Sequence, residues 1–209
     1  MNNLNFIHIP EIIPKEFCYF LTHILMRNSS YENSKINDQQ VPHALTILDH
    51  DVIFETIQER LWQSIEDIVQ EELFPTYSYA RLYQNGCTLE AHKDRPACEV
   101  SATIQLGRSH HYSWPIYMGG HRIDMAEGDA VIYSGCDVEH WRNICDGPEG
   151  YYSGQVFIHF VRKNGKFSNE AGDIITRNHI PSFVKNRTYL MESKLSLIHI
   201  SEPTRRRGI

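Results

Sequence analysis

Apolar residues recur about every 3.6 positions through the first third of the chain and about every second position through the middle, and the change of period falls near Pro75. The stretch "IPKEFCYFLTHILMRN" (13–28) sets Phe17, Phe20, Leu21, Ile24 and Leu25 on one stripe, with Pro14 suited to a first turn, and predicts a helix. "NSSYENSKINDQQVPH" (28–43) is polar and turn-rich and predicts a loop. A second helix is expected from about Asp51 to Leu73, with a stripe of Val52, Ile53, Ile57, Leu61, Trp62, Ile65 and Ile68, stopping before Pro75.

Beyond Pro75, "YSYARLYQ", "EVSATIQLG", "WPIYM", "HRIDM", "DAVIYSG" and "SGQVFIHFV" are short, aromatic and β-branched, and turns such as Asn85-Gly86, Gly119-Gly120 and Gly128-Asp129 separate them. Helices first and strands afterwards predict an α+β, mainly β domain. Helical support over 1–74 would buttress one face of an antiparallel sandwich or barrel over 75–163. At 209 residues a single domain is expected. Residues 164–194 are polar and weakly periodic and are expected to form a peripheral extension. The last stretch, "LSLIHISEPTRRRGI" (195–209), changes character abruptly and resembles the translated read-through of a transposon-based sequencing-library adapter. It is therefore expected to be a non-native tail and is set aside from fold reasoning, a natural basic tail being the other reading.

Composition narrows the class of protein. With 41% hydrophobic and 22% charged residues the chain matches an ordinary globular protein, and no apolar run approaches a bilayer-spanning length, so no membrane partner is expected. "MNNLNFIHIPEIIP" lacks the basic start and apolar stretch of a signal peptide, which predicts a cytoplasmic protein. Five scattered cysteines without a CxxC pair predict free thiols. A net charge of −6 argues against nucleic acid as a partner, and removing the tail's three arginines and one glutamate takes the charge from −6 to −8.

The chemistry concentrates in one strand. His92 and Asp94 lie two apart, so on an extended segment both side chains leave the same face and can converge on one ion. His140, near the end of a β-branched strand, is the candidate third ligand. Two imidazoles and a carboxylate on one side of an octahedral ion leave three positions open, the facial arrangement of non-haem Fe(II) oxygenases. A structural zinc would more often fill four positions with protein ligands. Taken alone, H-x-D recurs by chance, and both residues could equally be surface groups.

The surrounding motifs carry more. "YARLYQNGCTLEAHKDRPACEVSATIQLG" (79–107), "EGDAVIYSGCDVEHWR" (127–142) and "GQVFIHFV" (154–161) stand in order along the chain. Together, over about residues 77–163, they resemble the prolyl-4-hydroxylase-like branch of the Fe(II)- and 2-oxoglutarate-dependent dioxygenases. The resemblance implies a double-stranded β-helix, jelly-roll or cupin-like, with Fe(II) held by His92, Asp94 and His140. It also implies 2-oxoglutarate as cosubstrate and O2 as oxidant, with succinate and CO2 released as a C–H bond is hydroxylated. The substrate it suggests is a prolyl residue in a peptide or protein, with a small molecule as the alternative. Asp94 itself implies hydroxylation, because related halogenases carry Gly or Ala in its place.

One part of the pattern departs. In the family a basic residue on the strand after the distal histidine holds the remote carboxylate of 2-oxoglutarate; the corresponding positions here are Glu149, Gly150 and Tyr151. The next strand offers Ser153, Gln155, Phe157 and His159 on one face and no Arg or Lys before Arg162. Arg142, two residues after His140, is the expected substitute, since a guanidinium fork suits a carboxylate. Tyr83, where the family often has a carboxylate-binding tyrosine, and Gln105, by strand alternation, are expected to add hydrogen bonds. Arg162 and Lys163 are expected to be solvated. The missing late cation leaves a non-catalytic metal-binding barrel as a competing reading, and a zinc-dependent cupin-like enzyme as another.

Overall fold

The alternation beyond Pro75 supplies most of the strands of two antiparallel sheets. The computed structural model describes residues 5–30, 40–49 and 51–171; most of the expected 28–43 loop, most of the 164–194 extension and all of the 195–209 tail lie outside the described residues. In chain order the elements are β1 (Phe6–Ile9), α1 (Lys15–Ser29), β2 (Thr46–Asp49), α2 (Val52–Val69), β3 (Leu73–Gln84), β4 (Leu89–His92), β5 (Val100–Arg108), β6 (Ile116–Met118), β7 (His121–Ile123), β8 (Ala130–Tyr133), β9 (His140–Arg142) and β10 (Tyr152–Arg162). One sheet has the order β1-β8-β5-β10-β3-β2 and the other β4-β9-β6-β7. Strands distant in the chain are thus neighbours in each sheet, which is the jelly-roll, double-stranded β-helix arrangement.

β5 and β10 pair at the centre of the larger sheet and are buried almost throughout, because both of their faces are covered. Val100, Ala102, Ile104 and Leu106 of β5, Val156, Ile158 and Phe160 of β10, and Ala80 and Leu82 of β3 pack against the two helices in one core. The alternate residues, Ser101, Thr103 and Gln105 of β5 and Ser153, Gln155, Phe157 and His159 of β10, leave the other face toward the smaller sheet.

Both helices turn the expected stripes toward the core, with Leu21, Leu25, Ile57, Leu61 and Ile65 buried and Phe17, Ile24, Ile53, Trp62 and Ile68 packed against them, and they differ at the edges. In α1 the buried set is Cys18, Leu21, Thr22 and Leu25, while Phe20 is 58% exposed. Thr22 explains the close docking: the Gly107 amide of β5 donates to its hydroxyl at 2.7 Å, and a Cβ on Gly107 would lie 2.9 Å from the same oxygen. In α2 the buried set is Phe54, Ile57, Gln58, Leu61, Ile65, Glu66 and Val69, and Val52, at the first helical position, is 72% exposed. Asp51 caps this helix by accepting from the Ile53 amide at 2.9 Å.

Two boundaries differ from expectation. α2 stops at Val69, where Gln70 takes a left-handed φ of 60°, and β3 begins at Leu73 and runs through Pro75. The proline is tolerated because β2 covers β3 only from Tyr79 to Leu82, so at Pro75 only β10 is alongside. The segment expected to be helical support also supplies β1 and β2, the outermost strands of the larger sheet. All five cysteines are free, and among the described residues no helix is long and apolar enough to cross a membrane.

Candidate metal centre

β4 and β9 pair antiparallel with His92 opposite His140 and Leu89 opposite Arg142. Cross-strand partners share a face, so the two imidazoles meet, with ring centroids 4.3 Å apart. Asp94 follows two residues after His92, and its amide donates to the Gly135 carbonyl at 2.9 Å. Asp94 Oδ1 then lies 3.7 Å from His92 Nε2 and 3.6 Å from His140 Nε2, and the ligand atoms of the three residues all lie within 4.8 Å of one another.

The hydrogens of the imidazoles follow from their partners. His92 Nδ1 is 2.7 Å from the Glu90 carbonyl and His140 Nδ1 is 3.0 Å from the Val138 carbonyl. A carbonyl can only accept, so each Nδ1 carries a hydrogen, and each Nε2, the nitrogen turned toward Asp94, is the one left to take a metal. His140 is buried and His92 half-buried, which leaves the centre open on the His92 side. There the Gln40 amide nitrogen approaches His92 Nε2 at 3.4 Å, and its oxygen accepts from Arg81 Nη2 at 3.2 Å.

Asp94 is seated rather than free. Its Oδ2 accepts from Ser101 Oγ at 3.1 Å. Burial pushes its carboxyl above the ordinary range although His140, His92, Ser101 and Tyr133 all favour the charge. A cation against Oδ1 is the partner such a carboxylate takes. Burial likewise pushes His140 down, keeping its imidazole neutral. Gly135 makes the seat possible: a Cβ there would fall 2.2 Å from the Cys98 carbonyl, 2.5 Å from Asp94 Oδ2 and 2.9 Å from Ser101 Oγ.

β9 does continue to Arg142, which shares the inner face with His140 and is 2% exposed. Its Nη1 donates to the Trp114 carbonyl at 2.5 Å and its guanidinium lies 4.9 Å from the Trp114 ring centre, while Nη2 has no hydrogen-bond partner among the described residues. Burial pushes this guanidinium down to about 10, and the Tyr83, Tyr151 and Tyr133 hydroxyls and the Cys145 thiol oppose the shift. Tyr83 is fully buried, packs edge-on to Trp114 at 5.0 Å, and its hydroxyl accepts from Arg81 Nη1 at 3.3 Å. Gln105 reaches the inner face with its amide hydrogens already engaged: Nε2 donates to Ser153 Oγ at 2.9 Å, the Leu106 carbonyl at 3.1 Å and the Gly154 carbonyl at 3.2 Å, and Oε1 accepts from Gln155 Nε2 at 3.2 Å. Arg162 is not simply solvated, because Glu71 and Glu99 both pair with it.

Arg81 escapes a ligand-by-ligand reading of the sequence, yet the signal was present: it alternates with Tyr79 and Tyr83 on β3, and its guanidinium lies 5.3 Å and 5.7 Å from their rings. The meeting of His159 with Ser101 was equally hidden. The two lie 58 positions apart and meet only through the β5–β10 register.

No family model and no curated protein matches the chain. Solved structures do. A prolyl-4-hydroxylase from Pseudomonas putida superposes with a TM-score of 0.59 at 16% identity, covering 77% of this chain and 94% of that one. The viral collagen prolyl hydroxylase of Paramecium Bursaria Chlorella virus-1, a 2-oxoglutarate complex, gives 0.56 at 9%, covering 76% and 97%. HygX from Streptomyces hygroscopicus, with nickel, 2-oxoglutarate and hygromycin B bound, gives 0.59 at 13%, covering 78% and 85%. The chain therefore has the jelly-roll, double-stranded β-helix fold of these 2-oxoglutarate oxygenases.

Proposed function

We propose that this chain is an Fe(II)- and 2-oxoglutarate-dependent dioxygenase that hydroxylates a prolyl residue or a related C–H substrate. The observation that carries the reading is the convergence of His92 Nε2, His140 Nε2 and Asp94 Oδ1, with both Nδ1 hydrogens donated to backbone carbonyls. These three atoms would hold one face of Fe(II), the donor set that suits this ion and leaves positions for cosubstrate and O2. The iron, when bound, supplies the oxidising chemistry: one oxygen atom of O2 enters the substrate C–H bond and the other enters succinate, as 2-oxoglutarate loses CO2.

The chain's own residues bind, orient and exclude water. Arg142 would take the remote carboxylate of 2-oxoglutarate on Nη2, the buried donor that otherwise lacks an acceptor. Tyr83, beside Trp114, would add a hydroxyl to the same carboxylate. Gln105 would support the site by tying β5 to β10 through Ser153 and Gly154. The stacked rings of Tyr79 and Phe157, 4.6 Å apart, cover the inner sheet face and help keep the chamber dry. The prolyl assignment draws support from the two prolyl hydroxylases that share the fold. HygX, holding hygromycin B, makes a small-molecule substrate the alternative. A cytoplasmic setting accords with the free thiols.

The test is anaerobic titration of the Fe(II)-loaded chain with 2-oxoglutarate, followed by visible absorption. The expected result is a metal-to-ligand charge-transfer band that His92→Ala lacks. Folded, iron-loaded protein without that band would overturn the reading.

A further inference from the structure

We infer that His159 and Ser101 form a two-step relay behind Asp94, in which His159 positions the metal-binding carboxylate by acting through the Ser101 hydroxyl. The inference rests on the metal reading of His92, Asp94 and His140 and adds two residues that touch no metal themselves.

The relay is built into the centre of the larger sheet. His159 of β10 stands opposite Ser101 of β5. Its ring is 3% exposed and sits against Tyr77 and Tyr79, with centroids at 4.5 Å and 5.7 Å. Behind it, Gln58 of α2 donates to the His159 carbonyl at 2.6 Å and the Tyr77 carbonyl at 3.1 Å, pinning the backbone on both strands. His159 Nδ1 lies 2.9 Å from Ser101 Oγ, and Ser101 Oγ lies 3.1 Å from both Asp94 Oδ2 and the Cys98 carbonyl.

The direction of the hydrogens follows from counting donors. His159 is neutral in so buried a place and has one ring hydrogen to give. On Nε2, which has no partner among the described residues, that hydrogen would be a buried donor left unmet. On Nδ1 it is donated to Ser101 Oγ, which frees the serine's own hydrogen for an acceptor. A carboxylate oxygen outcompetes a neutral carbonyl at equal distance, so the hydrogen goes to Asp94 Oδ2. Ser101 thereby holds Oδ2, with the Tyr133 hydroxyl as a further partner of the same carboxylate, and Oδ1 is left facing the imidazoles.

The same neighbourhood does not make a second metal site. Asp94, Cys98 and His159 also come within 4.8 Å of one another, but Asp94 already belongs to the first centre and Cys98 Sγ is engaged with the Tyr77 hydroxyl at 3.1 Å.

The experiment measures Mn(II) binding to the full chain without cosubstrate, by electron paramagnetic resonance of the free ion, with thermal melts to verify folding. Ser101→Ala is expected to weaken binding by about tenfold to a hundredfold, the range for outer hydrogen bonds to metal ligands. His159→Phe, which keeps the ring between the tyrosines and loses the donor, is expected to weaken it by a smaller factor. His159→Asn, whose amide nitrogen stands close to the place of Nδ1, is expected to restore most of that loss. The double variant Ser101→Ala/His159→Phe should bind no more weakly than Ser101→Ala alone, since the histidine acts through the serine. Unchanged binding in Ser101→Ala, equal losses in the Phe and Asn variants, or additive losses in the double variant would each overturn the relay. The Phe and Asn pair keeps the test decisive even if the serine variant fails to fold. An unaltered chain that binds no Mn(II) would overturn the metal reading itself, a separate and recognisable outcome.

Discussion

The two faces of the larger sheet are made by the same strands and differ by a single step along each. On β5, Val100, Ala102 and Ile104 enter the core under the helices, while Ser101, Thr103 and Gln105 take the opposite, inner face, where Ser101 reaches Asp94. On β10, Val156 and Ile158 do the first and Gln155, Phe157 and His159 the second. The outer face is aliphatic and owes its strength to burial. The inner face is polar and aromatic, and its order comes from hydrogen bonds between strands, such as the Gln105–Gln155 and Ser101–His159 pairs. Packing and chemistry are thus separated across the thickness of one sheet, and changes on one face should leave the other nearly untouched.

Four substitutions test that separation, from the largest effect down. Asp94→Asn should reduce divalent-metal affinity by more than the roughly hundredfold expected for an outer hydrogen bond. Its melting temperature should be level or raised, because a carboxylate whose burial is costly has been neutralised; a large drop would mean that the inner face carries the fold. Ile158→Ala, on the outer face and fully buried, should cost about 2–5 kcal/mol of stability in denaturant unfolding and leave metal affinity unchanged. Arg142→Met should raise the 2-oxoglutarate requirement by an amount matching about 1.5–3 kcal/mol, the worth of a hydrogen bond to a charged group, with metal binding nearly intact. Unaltered cosubstrate affinity would remove Arg142 from the site. Val52→Ser, at an exposed helix start, should stay within about 0.5 kcal/mol of the parent in the same unfolding measurement.

The parts legible in the sequence are those that need only local geometry. His92 and Asp94 are two apart, and His140 and Arg142 are two apart, so period-2 reasoning places each pair without knowing how the sheets close. Helix existence was legible for the same reason. The helix faces were legible except at their edges, where Phe20 and Val52 fit an apolar stripe as well as Cys18 and Phe54 do, and only docking against β5 and β3 decides which are covered. β1 and β2, four residues each, carry too few alternations to register as strands and are defined by pairing with β8 and β3. His159 was visible on one face of its strand, whereas Arg81 was not singled out. Their partners, Gln40 and Ser101, come from other segments, and no spacing rule links them.

Gly135 alters how such centres should be counted. No ligand, donor or acceptor is contributed by its side chain, because it has none, yet any other residue would thrust a carbon into the oxygen atoms that seat Asp94. A descendant of this chain could keep His92, Asp94 and His140 intact and still lose the seat of its carboxylate through one change at a position that no ligand inventory would inspect. Recognising an intact cluster of this kind in other sequences therefore depends on an empty space as much as on the three side chains around it.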